Sequence, residues 1–111
     1  AAERRYVEAR LVSLPPCEEN LIFFEESLSP AALRALAEGG KTRCTGVCAA
    51  LCAGDGGYRY VMASETVDLR AAAKDINAAL SGRGGGAPGM IQGSLRASRE
   101  QIEEYFHGKI G

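Results

Sequence analysis

Apolar residues along this chain change their spacing several times, and each change marks an element. Asn20 to Glu26, N-L-I-F-F-E-E, is a short apolar run with aromatic β-formers, which predicts a buried strand. Ser29 then offers a hydroxyl cap ahead of Pro30, Leu33, Leu36 and Ala37 follow at core spacing, and Gly39 closes a helix. Thr42 to Ala53 and Tyr58 to Ser64 read as strands joined across Gly54-Asp55-Gly56-Gly57, hence a hairpin. Asp68 can cap a second helix whose stripe is Leu69, Ala72, Ala73, Ile76, Ala79 and Leu80. Met90 to Leu95 returns as a strand. Ser98 and Gln101 then form a capping box for a last helix that docks through Ile102, Tyr105 and Phe106.

The opening residues, with Leu11 and Tyr6 or Val7 at helical spacing, read like the tail of a longer helix. Residues 1–19 are therefore expected to be that tail and a linker, cut from a larger protein, and 20–111 the domain proper. The expected fold is α/β: a single domain whose sheet of about four or five strands carries helices packed on it, with a glycine-rich loop before the last strand.

That loop is the most distinctive part of the chain. Ser81 to Ser94, S-G-R-G-G-G-A-P-G-M-I-Q-G-S, holds six glycines, one proline and a single charge, Arg83. Glycine adopts positive φ without steric cost, so Gly84, Gly85 and Gly86 can alternate backbone hand and turn successive N–H groups into one hollow, a nest for phosphate oxygens. Arg83 adds a planar cation suited to bidentate phosphate contact. A flexible linker is the plainer alternative, but Pro88, Met90, Ile91 and Gln92 are not linker residues.

Leu80 to Leu95 also resembles the signature of the first type of DHH-associated domain, found at the C-terminus of alanyl-tRNA synthetase and of long-form alanyl-tRNA editing proteins. The pattern G-R-G-G-G, any residue, P, then Q-G is matched by Gly82 to Gly86, Pro88, Gln92 and Gly93, and the likeness spans Asn20 to Phe106. The helix from Asp68 to Leu80 and the Q-G-S ending resemble the editing proteins more than the synthetases. The resemblance implies a non-catalytic tRNA-binding module, for alanine-accepting tRNA, in a cytoplasmic protein that hydrolyses mischarged tRNA. It further implies zinc held by histidine and cysteine in an upstream domain, with no cofactor in this segment, and domains of this kind can pair as homodimers. The phosphoesterase branch of the superfamily carries a histidine directly after its glycines, where this chain has Ala87. The substrate-binding domain of a DHH-type phosphoesterase acting on oligonucleotides or cyclic dinucleotides stays as the alternative, and a pure dimer interface as a third.

Composition narrows the partners. A chain of 111 residues with 46% hydrophobic content suffices for one core. A net charge of −1 argues against indiscriminate coating of duplex, which needs many phosphate contacts. Charge is nonetheless uneven: Gly82 to Arg99 holds Arg83, Arg96 and Arg99 and no acid, whereas Cys17 to Glu26 holds four glutamates and no base. No span approaches the length of a membrane helix. Cys44, Cys48 and Cys52, spaced by four, would share one face of a strand, and with Cys17 they lack the tight pairs or nearby histidine of a zinc site. They read as small buried groups in a reducing compartment, with no metal.

The candidate nucleic-acid contacts are Arg83, Gly84, Gly85, Gly86, Gln92, Arg96 and Lys74. Gln92 either reads a ribose or base edge or satisfies the loop's own amides. Lys74 and Arg70 lie four apart on one helix face and could extend a phosphate surface or stand solvated. Tyr58 and Tyr60 share a strand face, where they stack on bases or, more ordinarily, pack across strands. Asp68 and Asp75, without a histidine or metal ligand set, are no catalytic pair.

Overall fold

Six strands and four helices alternate through residues 2–111, which the computed structural model describes. In chain order they are α1 (Ala2–Val12), β1 (Leu21–Glu25), α2 (Pro30–Lys41), β2 (Val47–Gly54), β3 (Gly57–Ser64), α3 (Leu69–Ala79), β4 (Gly82–Ala87), β5 (Met90–Leu95), α4 (Arg99–Phe106) and β6 (Lys109–Ile110). The strands form one mixed sheet in the order β4-β5-β3-β2-β1-β6. β1 runs parallel to β2 and to β6; the other three pairings are antiparallel.

Each face of the sheet carries its own core. One gathers Ile22, Leu51, Tyr60, Met62, Ile91 and Leu95 beneath α3 and α4; the other gathers Phe23, Cys48, Ala50, Cys52, Val61 and Ala63 beneath α2 and α1. The result is one α/β domain with helices on both sides of the sheet.

The caps act as the side chains dictate. The Ser29 hydroxyl accepts the Ala32 amide ahead of Pro30, Asp68 accepts the Ala71 amide, and Ser98 and Gln101 satisfy each other's backbone reciprocally. Gly39 does not stop α2. The helix runs on through Gly40 to Lys41, because a Cβ at Gly40 would meet the Cys48 sulfur and the Phe23 ring, so the glycine lets helix and sheet approach closely. β2 accordingly begins at Val47 rather than Thr42, and Thr42 caps the helix. Cys44 therefore lies outside β2, in an isolated parallel bridge to Cys17, while Cys48 and Cys52 do share the α2 face.

The sheet exceeds the expected four or five strands at both edges. β6 is a two-residue strand whose Lys109 and Gly111 amides bond to the carbonyls of Asn20 and Ile22. The other addition is the glycine-rich run itself. Gly82 to Ala87 is not a loop but the edge strand β4, paired residue by residue with β5 around a turn at Pro88-Gly89. Glycine's poor strand propensity hides this, and close packing explains it. Gly84 pairs with Gly93, which pairs with Tyr60, so two glycines lie side by side in the row occupied by the Tyr60 ring. A Cβ on Gly93 would overlap the Arg83 carbonyl oxygen and come within 2.7 Å of the Gly84 Cα. Gly84 has φ +148°, which side chains rarely adopt, and a Cβ there would stand 2.6 Å from the Tyr60 hydroxyl. That hydroxyl donates to Asn77 Oδ1 (3.1 Å), and Asn77 Nδ2 donates to the Gly84 carbonyl (3.2 Å), tying α3 to the edge.

Helix α1 packs on α2 and is fastened to β1. Glu25, 7% exposed, accepts from the Tyr6 hydroxyl and from Arg10 Nη2 (3.1 Å), and the same Nη2 donates to the Gly111 carbonyl at 2.9 Å.

Candidate nucleic-acid interface

Strand register decides which side chains can meet a ligand. Paired residues of a sheet share a face. Arg83 of β4 pairs with Ser94 of β5, and Ser94 with Arg59 of β3, so two arginines and a hydroxyl stand in one row across three strands. The next row is Gly85, Gln92 and Val61. Both rows lie on the α2 side of the sheet, where α2 covers β2 and β3 but leaves Arg83, Gln92 and Ser94 exposed.

At the end of this face Ser81, Gly82, Arg83, Ser94 and Arg96 line an open cleft of about 470 Å³. Its floor is held by the Arg96 amide, which donates to the Ser81 carbonyl at 3.2 Å, and Ser81 takes positive φ (53°) to make the turn from α3 into β4. Neither Arg83 nor Arg96 has a carboxylate partner among the described residues. Two free guanidinium groups and two hydroxyls around one cleft suit an anion with several oxygens.

The predicted residues thus separate. Arg83 and Arg96 come together. Gln92 shares their face but accepts from Arg34 Nη2 of α2 at 3.3 Å, beside a smaller hollow of about 250 Å³ bounded by Pro30, Leu33, Arg59, Val61 and Gln92. Lys74 is exposed on α3, which packs on the opposite face of the sheet, so it belongs to neither hollow. Gly84, Gly85 and Gly86 do not form the expected concave nest. Their backbone is ladder, and while Gly84 and Gly86 do take positive φ, Gly85 between them does not.

Arg59 and Arg34, which the sequence does not single out, join this face. Arg59 sits between Tyr58 and Tyr60, and once those tyrosines face the α3 core, period-2 alternation turns Arg59 to the α2 side, which is the signal that can find it. Its Nη2 is anchored on the Leu28 carbonyl at 2.8 Å, which fixes where its charge sits. Tyr60 is 1% exposed, its phenol pushed up by burial, and Tyr58 packs edge-on against Phe24 with centroids 5.6 Å apart. Arg99 lies over Phe24 at 4.4 Å and so is engaged elsewhere. The four cysteines are free thiols, and among the described residues no group of three metal-binding side chains converges.

No family model matches the chain, and no curated protein does. Among solved structures, the C-Ala domain of Aquifex aeolicus alanyl-tRNA synthetase superposes with a TM-score of 0.61 at 19% identity, over 78% of this chain and 87% of that one. The two share a fold. At that identity the likeness speaks for architecture alone.

Proposed function

We propose that this chain is a tRNA-binding module that grips the sugar-phosphate backbone through the Arg83–Arg96 cleft and the Arg83–Ser94–Arg59 row. The observation that carries the reading is the pairing of two unpartnered arginines around one polar cleft. The C-Ala fold, borne by an enzyme that charges tRNA, supports tRNA as the nucleic acid. Tyr58 and Tyr60 face the α3 core and offer the arginine row no stacking platform, so contact is to phosphates and hydroxyls rather than to stacked bases. By the resemblance of Gly82 to Gly93 to the editing proteins, the module serves the hydrolysis of mischarged alanine tRNA, with zinc and catalysis located outside this chain.

Filter binding of labelled tRNA across a salt series tests the reading. Arg83→Ala should weaken binding roughly tenfold, the worth of one charged hydrogen-bond contact. It should also shrink the slope of log affinity against log salt by about 0.7–0.9. Arg83→Ala/Arg96→Ala binding as tightly as the parent, with an unchanged slope, would refute the cleft as the contact.

A further inference from the structure

The isolated bridge between Cys17 and Cys44 holds two thiols that the nucleic-acid reading does not use. The Cys17 amide donates to the Arg43 carbonyl (2.8 Å) and the Thr45 amide donates to the Cys17 carbonyl (3.1 Å), so the Cys17 backbone brackets Cys44. Residues paired this way in parallel strands lie about 4.8 Å apart and project to the same face. That separation falls inside the range a disulfide spans. The two sulfurs also converge on one stretch of backbone. The Cys17 thiol points to the Glu19 and Asn20 carbonyls at 3.6 and 3.7 Å, and the Cys44 sulfur faces the amides of Leu21 and Gly46. Cys17 is buried and Cys44 only partly so, which gives a reagent one point of entry.

We propose that Cys17 and Cys44 are a disulfide-forming pair, oxidised by thiol–disulfide exchange with a small-molecule disulfide. The Cys44 thiolate attacks one sulfur of the reagent RSSR and expels RS⁻, leaving Cys44 in a mixed disulfide. The Cys17 thiol then loses its proton and attacks Cys44 Sγ, expelling the second RS⁻. Two protein thiols and RSSR become one protein disulfide and two RSH, with two electrons passing to the reagent.

The bond would clamp the connector before β1 to the connector before β2. Asn20 already joins these two segments, accepting the Val47 amide on Oδ1 (2.8 Å) and donating from Nδ2 to the Phe106 carbonyl (2.8 Å). Burial raises the Cys44 thiol above its ordinary range, so the exchange is slow near neutrality and speeds up as pH rises. Cys48 and Cys52 are closed to the reagent by full burial.

The experiment uses the purified full chain, fully reduced, then incubated with oxidised glutathione at mildly alkaline pH. The expected product has lost two hydrogens and two titratable thiols. Trypsin should release residues 11–34 linked to residues 44–59, with fragmentation placing the link on Cys44. Closing a loop of about 28 residues should raise Tm on the order of 10 °C, reversed by dithiothreitol. Cys17→Ser and Cys44→Ser should each abolish both the link and the shift, and Cys52→Ser should keep them. Mixed disulfides without an internal link, or a link to Cys48 or Cys52, would overturn the proposal.

Discussion

Replacing Gly93 and Gly85 separately by alanine distinguishes a packed edge strand from a flexible loop. The two positions are neighbours in the β4–β5 ladder, yet their surroundings differ completely. At Gly93 the added methyl would overlap the Arg83 carbonyl and crowd the Gly84 Cα at 2.7 Å, so the strands must part. Such overpacking against backbone, which cannot rotate away, costs on the order of 3 kcal/mol. For a domain of this size that corresponds to a fall in Tm of about 12 °C. At Gly85 no atom lies within 4 Å of the new Cβ and φ is not positive. Gly85→Ala should therefore leave Tm unchanged or raise it, since the unfolded chain loses about 0.4–1 kcal/mol of conformational freedom. Thermal melts followed by far-ultraviolet circular dichroism give both numbers. Equal melting temperatures for the two variants would show that the glycines are not set by packing, and the ladder description of β4 would fall.

Tyr6→Phe removes a hydrogen bond to the buried Glu25 carboxylate and should cost about 1–3 kcal/mol in urea titrations. The same bond raises the Tyr6 phenol above its ordinary value of 10.0; its stabilising contribution is complete below that value and is lost as pH climbs through the raised one, so parent and variant should converge in strongly alkaline melts. Ser29→Ala removes the α2 cap at a cost of about 1 kcal/mol. Ser29 also holds the Glu3 carboxyl below its ordinary 4.5 through its amide and hydroxyl. The hydroxyl's part of that linkage, present above 4.5 and lost as pH falls through the lowered value, should vanish from acid titrations of the variant. Chelation with EDTA should leave the Tm of the isolated chain where it is; a fall would contradict the assignment of the cysteines as apolar packing groups.

Local chemistry made much of this fold legible. Ser29 before Pro30, Asp68 before Leu69, and Ser98 ahead of Gln101 mark helix starts because their short side chains reach the amides three residues on. Asp55-Gly56 marks the β2–β3 turn because Gly56 supplies the positive φ (75°) the turn requires. What stayed hidden depends on distant partners. Gly82 to Gly86 look like a loop until distant partners are placed: a Cβ at Gly84 would meet the Tyr60 hydroxyl, and one at Gly82 or Gly86 would meet β5. The candidate site divides the same way: Arg83 stands out through its glycine frame, whereas alternation along β3 gives only the face of Arg59, and its place in one row with Ser94 and Arg83 comes from the β3–β5 and β4–β5 register.

The connectivity of the sheet also sets an order of assembly. β2–β3 and β4–β5 close over turns of two residues, while β6 must find Leu21 and Ile22 from the far end of the domain. Contacts near in sequence form early and distant ones late. The hairpin that bears Arg83 therefore matures before the last edge docks, and in amide-exchange labelling the short final strand should be the first to let deuterium in, leaving the arginine-bearing half of the sheet protected.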